Sequence, residues 1–187
     1  MIRLETERLL LRKPERSDLD GYAAVFGDPQ VTRFLGRGGA RSRDEVSASL
    51  DRMLRHWDRH GIGLFTVLRT ADEQLLGRVG FLLWDPERWV NAMHAELENG
   101  PFETELGWTL GSEHWNQGYA TEAALACRDW ALGPLRRTRL VSVIAPDNVA
   151  SIRVAEKIGE TLERANLPGA FVRRVDLYAL GNAAPLR

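Results

Sequence analysis

The second half of the chain alternates strand-like and helix-like segments, and this alternation restricts the possible folds more than any other feature. A strand is predicted at Phe102–Leu110, a loop at Gly111–Gly118 and an alanine-rich helix at Ala120–Leu132. An apolar, β-branched strand follows at Arg139–Ala145, before a short helix at Val149–Ile158. Two strand–helix–strand connections in succession favour a sheet that is covered by helices.

The first half adds further strands and helices. A strand is predicted within Arg8–Pro14, and Ser17 with Asp20 resembles a capping box at the start of a first helix. Asp28 and Pro29 predict a second helix with proline at its first position. The remaining predicted elements are a helix that opens at Asp44 and strands at Gly63–Arg69, Leu75–Trp84, Thr161–Arg164 and Phe171–Leu180.

The predicted order is β-α-α-β-β-β-α-β-α-β-β, without an internal repeat. This order predicts an α/β (α+β) fold with one mixed, twisted sheet of about six to seven strands and helices on both faces. A chain of 187 residues has the usual size of a single domain, so one domain is expected over residues 1–187.

Charge and composition argue against several classes of function. The 25 basic and 26 acidic residues give a net charge of −1, whereas nucleic-acid binding requires a basic face. No run of about 18 apolar residues occurs, so no membrane partner is expected. The start MIRLETER is too charged for a signal peptide, and the single Cys127 cannot form an internal disulfide. A cytoplasmic location is therefore expected.

The stretch ELGWTLGSEHWNQGYATEAA, residues 105–124, carries the strongest functional indication. It runs from a strand through a loop into a helix, and a helix N-terminus offers free backbone N–H groups that attract phosphate. Gly118 and Ala120 would let a ligand approach the backbone closely, and Thr121 could add a hydroxyl donor. The residues alone leave anion binding and an ordinary connecting loop equally open. The motifs of the P-loop and of dinucleotide-binding proteins are both absent.

The segment WNQGYATEA resembles the acyl-CoA pyrophosphate loop of the GNAT superfamily of N-acetyltransferases, and most of all its RimJ/RimL-type branch. Three more segments are similar to that branch and lie in the same order, namely ETERLLLRKPERSD, ELGWTL and PDNVASIRVAEKIG. Trp115 occupies the first loop position, where the superfamily pattern has Gln or Arg, and the RimJ/RimL-type branch often carries Trp there.

The resemblance implies where the donor, acetyl-CoA, binds. Backbone N–H groups of the loop and the helix start would hold its pyrophosphate. The strand before the loop would pair with its pantetheine arm, and Gly107 there is consistent with a β-bulge. Asn148 resembles a residue that contacts this arm, although a helix N-cap explains it at least as well. The implied donor-binding residues are Trp108, Thr109, Leu110, Asn116, Gln117, Gly118, Tyr119, Ala120, Thr121, Asn148 and Ser151.

Acetyl transfer to an amine needs a base for the ammonium and benefits from an acid for the leaving thiolate. The resemblance implies Glu105 as the base, and a solvated strand carboxylate is the competing interpretation. Ser151 is the implied hydroxyl near the sulfur, because Ala155 stands where many members carry Tyr. A hydroxyl that bonds the helix backbone is equally favoured for Ser151. His56 and His60 have metal-ligand spacing without a third ligand nearby, so no metal is expected.

We therefore expect an acetyl-CoA-dependent N-acetyltransferase that forms a ternary complex and transfers the acetyl group directly to a primary amine. The acceptor would be a protein N-terminal α-amino group or a small amine. Acidic residues before and along the strand favour a cationic acceptor, and they are Glu96, Glu98, Glu103 and Glu105. The alternatives are a non-catalytic acyl-CoA-binding sensor module and a protein that binds another phosphate ligand. A homodimer is a further expectation from the resemblance.

Overall fold

The computed structural model describes residues 2–85, 90–93, 102–168 and 174–181. Its strands are β1 (Arg3–Glu5), β2 (Leu9–Arg12), β3 (Leu64–Arg69), β4 (Leu75–Asp85), β5 (Val90–Asn91), β6 (Glu103–Leu110), β7 (Arg139–Ile144), β8 (Thr161–Pro168) and β9 (Arg174–Gly181). Its helices are α1 (Leu19–Gly27), α2 (Pro29–Thr32), α3 (Arg43–His60), α4 (Tyr119–Leu132) and α5 (Val149–Lys157).

All nine described strands belong to one sheet with the order β1-β2-β3-β4-β6-β7-β9-β8, and β5 pairs with β4. Neighbouring strands are antiparallel except β6 and β7, which are parallel. The predicted mixed α/β sheet is confirmed, but it has more strands than the six to seven expected. Two strands, Arg3–Glu5 and Val90–Asn91, are too short for a pattern of alternating residues to reveal them.

Helices pack on both faces of the sheet, as the sequence predicts. On one face, alanines of α4 and Cys127 pack against inward side chains of the central strands, such as Phe65 and Leu106. The opposite face carries α1 and α3, whose Tyr22 and Leu50 pack with Leu64. Side chains of adjacent strand residues point to opposite faces, so Leu64 and Phe65 contribute to different cores.

A buried polar network joins the start of α1 to the sheet. Asp18 is 6% exposed and accepts from both terminal nitrogens of Arg12, at 2.6 and 2.9 Å. The Thr66 hydroxyl donates to the same carboxylate at 2.7 Å and lies 2.8 Å from the Tyr22 hydroxyl. These hydrogen bonds outweigh the cost of burial and lower the pKa of Asp18.

The predicted helix caps have mixed outcomes. Asp28 caps α2 through a bond from the Gln30 N–H, with Pro29 at the first position as expected. The predicted capping box of Ser17 and Asp20 is wrong. Glu15 and Asp18 form the box instead, because Asp18 turns back to accept from the Glu15 N–H at 2.9 Å.

The expected β-bulge at Gly107 is not present. The β4–β6 ladder runs without a register shift from Gly77 opposite Leu110 to Trp84 opposite Glu103. The glycine instead leaves open space, since a Cβ placed there would meet only a Glu105 oxygen, at 3.9 Å. Phe171, predicted to begin the last strand, lies outside the described residues. Among the helices that the structure describes, none is long and apolar enough to cross a membrane.

Asp18→Asn should destabilise the protein by about 3 kcal/mol, because it removes a charge from a buried ion pair and leaves Arg12 with only the more distant and exposed Glu15, at 3.9 Å. For a chain of this size we expect the melting temperature to fall by roughly 5–10 °C in thermal denaturation. Asp20→Asn is the matched control, since Asp20 forms an exposed ion pair with Arg43. Equal losses for the two variants would contradict a structural role of the buried network.

Candidate active site

A cleft opens where the parallel strands β6 and β7 part. Among the described residues their ladder consists of a single pair, Glu105 opposite Val141. The cleft has a volume of about 150 Å³. Residues predicted from separate segments meet along it: Glu105, Gly107, Trp108, Thr109, Asn148 and Ser151. We call this opening the β6–β7 cleft.

Two N–H groups of β6, those of Trp108 and Leu110, point to the edge on which this cleft opens, and of these two residues only Trp108 lines the cleft. Main-chain groups alternate in direction along a strand, and the Gly111 N–H donates to a carbonyl of β4 at 2.8 Å. Thr109 therefore also faces β4, whereas Trp108 and Leu110 face the opposite, cleft-side edge. In agreement, the Leu110 carbonyl accepts from Trp115 Nε1 at 2.9 Å, outside the ladder. Of the three predicted β6 residues, Thr109 thus lines the cleft with its side chain only.

Glu105 lies half-buried at the point where β6 and β7 separate. Its Oε2 accepts a hydrogen bond from Trp84 Nε1. Burial raises the pKa of Glu105 to about 7, against the opposing effects of the Trp84 bond and of the Arg78 charge. A carboxyl with this pKa can both take up and release a proton near neutral pH.

Asn148 and Ser151 meet at the start of α5, on the other side of the cleft. The Asn148 Oδ1 accepts from the Ser151 N–H at 3.3 Å, so Asn148 is the helix N-cap. The Ser151 hydroxyl accepts from Trp108 Nε1 at 3.3 Å. Trp108 thereby orients this hydroxyl across the cleft, and the Ser151 hydrogen can turn towards a third group.

The predicted anion loop is exposed and has unusual backbone angles. Asn116 and Gly118 both have positive φ, of 59° and 83°. Gly118 is the N-cap of α4 and has no side chain. The backbone N–H groups in the first turn of α4 therefore receive no hydrogen-bond acceptor from the N-cap residue's side chain. The side chain of Gln117 is used internally, since its Nε2 donates to the Glu113 carbonyl at 2.9 Å. The Tyr119 side chain is buried, at 7% exposure, which leaves its backbone as the available group.

An arginine from the N-terminal segment, Arg8, contacts this loop, and the sequence did not predict this contact. Arg8 donates to the Gln117 carbonyl at 3.0 Å and to Glu122 at 2.7 Å. Its guanidinium also lies 4.5 Å from the centre of the Tyr119 ring. Thr6 adds a bond to Glu122 at 2.6 Å. No local pattern predicts contacts between residues more than 100 positions apart, so only the folded structure reveals them.

The acidic surface expected on the acceptor side carries less negative charge than the sequence suggests. Glu103 forms an ion pair with Arg139 at 3.1 Å, and Arg139 also pairs with Glu163 at 2.8 Å. Glu96 and Glu98 lie outside the described residues. The described cleft lining therefore holds one carboxylate, Glu105, together with a cation, Arg78.

Two further features lie apart from the β6–β7 cleft. A wider surface depression of about 500 Å³ is lined by Arg12 and Arg69, but their charges already pair with Asp18 and Asp72. No group of histidine, cysteine and acidic side chains suited to a metal ion occurs in the described part of the chain. Cys127 is fully buried, and burial raises the pKa of its thiol.

Glu160 is a buried acid that sequence reasoning also missed. It is 2% exposed, its Oε1 lies 3.1 Å from the Ser142 hydroxyl oxygen, and its Oε2 is buried without a hydrogen-bond partner in the described structure. Burial, reinforced by the charge of Glu105, raises the pKa of Glu160 to about 8. Ser142 donates to the Leu106 carbonyl at 2.7 Å, so Glu160 lies directly behind the branch point of β6 and β7.

A fold and a cleft of this kind define a class of acyl-transferring proteins, and similarity to known proteins identifies the family. The family model described as "Acetyltransferase (GNAT) domain" matches residues 8–161. The chain therefore belongs to the GNAT family of acetyltransferases, and it is an N-acetyltransferase. GNAT domains use acetyl-CoA and act on amine acceptors.

Individual relatives agree with this assignment. The chain is 28% identical over 159 residues to the uncharacterized N-acetyltransferase p20 of Bacillus licheniformis, covering 83% of this chain and 80% of that protein. A crystal structure of an acetyltransferase from Agrobacterium tumefaciens is 30% identical, with a TM-score of 0.74 over 97% of this chain and 95% of that one. RimL, a ribosomal L7/L12 α-N-protein acetyltransferase solved with coenzyme A, shares the fold at 16% identity, with a TM-score of 0.75 over 96% and 98% of the two chains.

Glu160→Gln should stabilise the protein at alkaline pH. The native carboxyl keeps its proton up to about pH 8, whereas a free glutamic acid loses it near 4.5. The native state thus binds more protons between these values, so its free energy of unfolding falls as the pH rises through them. Removing this group should raise stability at pH 8.5 by roughly 1–3 kcal/mol and change it little at pH 4.5.

Urea denaturation at the two pH values measures this difference. Glu7→Gln, at an exposed position, is the matched control and should change stability little at either pH. An alkaline loss of stability in Glu160→Gln would show that the ionised carboxylate is stabilised in the native state.

Proposed function

We propose that this protein transfers the acetyl group of acetyl-CoA directly to a primary amine in a ternary complex, with Glu105 as the base. The observation that carries the proposal is the position of Glu105: its carboxyl, with a pKa of about 7, lies in the cleft where β6 and β7 part, and Trp108, Asn148 and Ser151 line the same cleft. Bound acetyl-CoA supplies an acetyl group that is activated as a thioester.

The exposed loop fits the diphosphate of the donor. Backbone N–H groups between Asn116 and Thr121 open to solvent at the positive end of the 14-residue helix α4. Ala120 is small enough to leave them accessible, and Arg8 adds a cation whose side chain is 42% exposed. The N–H groups of Trp108 and Leu110, together with Asn148, would hold the pantetheine arm along the cleft.

Glu105 performs the proton transfer that makes the acceptor nucleophilic. Its ionised carboxylate takes one proton from the acceptor ammonium, and the free amine then attacks the thioester carbonyl to form the new C–N bond. As the C–S bond breaks, the nitrogen loses its second proton, which balances the proton that the departing thiolate gains, so the products are the amide and the CoA thiol. The N–H of Trp108 can donate to the carbonyl oxygen that gains negative charge. Ser151 faces the same cleft and would donate to the departing sulfur, in the role that Tyr has in many members.

The remaining expectations belong to the same proposal. The chain would act as one domain over residues 1–187 in the cytoplasm, where a lone buried Cys127 is compatible with a reducing environment. Assignment to the RimJ/RimL-type branch is supported by the shared fold of RimL, and the homodimer is drawn from the resemblance alone.

Glu105→Gln should lower kcat for acetyl transfer by about 10²–10⁴-fold, because the amide cannot accept the ammonium proton. The wild-type rate should rise with pH through about 7 as Glu105 ionises, and the variant should lose this inflection. Amine-dependent release of CoA thiol, recorded from pH 5.5 to 9, tests both effects, with exposed Glu156→Gln as the control. Unchanged thiol release in Glu105→Gln would refute the base assignment.

Gly118→Val should weaken acetyl-CoA binding at least about tenfold, because φ at Gly118 is 83° and a side chain there would crowd Arg8, 3.4 Å from the Cβ position. Gly61→Val is the matched control, since Gly61 has a φ of 68° with no atom within 4 Å of the Cβ position. Calorimetric titration should show reduced affinity only for the first variant. Equal acetyl-CoA affinities in two folded variants would contradict the loop as the diphosphate site.

A further inference from the structure

Arg78 brings a positive charge into the acceptor side of the β6–β7 cleft. It lies on β4, opposite Thr109 of β6, and lines the cleft together with Glu105. Its guanidinium contacts two uncharged groups: the Phe26 ring, at 4.6 Å from the ring centre, and the Met53 sulfur, at 3.5 Å. Among the described residues it forms no ion pair, although it lies close enough to lower the pKa of Glu105.

Two more arginines reinforce this charge. Arg52 of α3 and Arg41, just before α3, both lie near enough to act electrostatically on Arg78. The Nε of Arg52 is buried without a hydrogen-bond partner in the described structure. Arg41 donates to the carbonyl of Leu35, which itself lines the cleft, at 3.1 Å. Neither arginine forms an ion pair within the described ranges, unlike Arg43, which pairs with Asp20, although Glu45 lies near enough to Arg41 to interact with it electrostatically.

Three neighbouring guanidinium groups outnumber the carboxylates around them, since Glu105 acts on Arg78 and Glu45 on Arg41, and this excess of positive charge is unfavourable in a partly buried site. Each repels the others, and burial removes water that would otherwise solvate the charge. Arginine does not lose its proton under these conditions, so the positive potential persists. An anionic group in the cleft would relieve this repulsion and would accept paired hydrogen bonds from a guanidinium.

We propose that the acceptor is a small amine that also carries a carboxylate, with the ammonium at Glu105 and the carboxylate at Arg78. This inference rests on the proposed acetyl transfer and specifies its substrate class. The cleft then offers one negative and one positive side chain to an acceptor with the complementary pair of charges. The ion pair of Glu103 with Arg139 removes the acidic surface that would favour a purely cationic amine.

Matched acceptors test this proposal on the wild-type enzyme. We would compare β-alanine, 4-aminobutyrate and 5-aminopentanoate with propylamine, butylamine and pentylamine, at saturating acetyl-CoA, by CoA thiol release. At least one amino acid should exceed its alkylamine by about tenfold to a hundredfold in kcat/KM, the effect of one charge-assisted contact. Added salt should lower this ratio, since it screens the attraction.

Variants identify the group responsible. Arg78→Met should bring kcat/KM for the amino acid to within about twofold of that for its matched alkylamine, and it should leave KM for acetyl-CoA unchanged. Met is chosen because an apolar side chain is compatible with the neighbouring Phe26 and Met53. Arg59→Met, at an exposed position of α3, is the matched control and should keep the wild-type ratio. If Arg78→Met does not fold, Arg52→Met should still lower the ratio, and the salt dependence of the wild type remains decisive.

The outcomes separate this inference from the proposed function. Acetylation of alkylamines as fast as of amino acids would overturn the carboxylate site and leave acetyl transfer intact. A preference for a peptide with an acidic second residue over its amide counterpart, without any preference among the small acceptors, would also overturn the small-molecule acceptor. Absence of thiol release with every amine would instead overturn the proposed function itself.

Discussion

The separation of two parallel strands, β6 and β7, is the constraint on which the rest of the site depends. Where the strands pair, at Glu105 and Val141, the sheet is continuous and the core is closed on both faces. Beyond that pair, backbone N–H groups of β6 turn to a cleft instead of to a neighbouring strand. Free main-chain groups on the same strand as a half-buried carboxyl give this fold a candidate binding surface at the point where the sheet divides.

Two carboxyl groups with raised pKa values lie at this branch point, and they differ in surroundings. Glu105 faces the cleft and can exchange protons with a ligand, whereas Glu160 lies behind the sheet and contacts Ser142. The charge of Glu105 disfavours ionisation of Glu160, so the pair carries fewer negative charges near neutral pH than two exposed glutamates would. The positive potential of Arg78 favours the ionised form of Glu105.

Sequence patterns predicted the periodic parts of this molecule and missed its long-range contacts. Strands such as Arg139–Ile144 and the helix Tyr119–Leu132 follow from residue type and spacing, and glycine at 118 predicts a loop with close backbone approach. The two shortest strands carry too few residues for such signals. The burial of Glu160 and the convergence of arginines around Arg78 depend on how distant segments pack. In the sequence, an acidic or basic residue by itself predicts an exposed position. The roles of the site residues remain predictions.

The bond from Arg8 to Gln117 couples the N-terminal hairpin to the loop that precedes α4. This edge hairpin is formed by β1 and β2, so the shape of the loop before α4 is coupled to the integrity of that hairpin. Local opening of an edge strand is less costly than global unfolding. Fraying at the amino end would therefore loosen the proposed diphosphate loop well before the protein melts, and a ligand held there would in turn protect the backbone amides of the hairpin from hydrogen exchange.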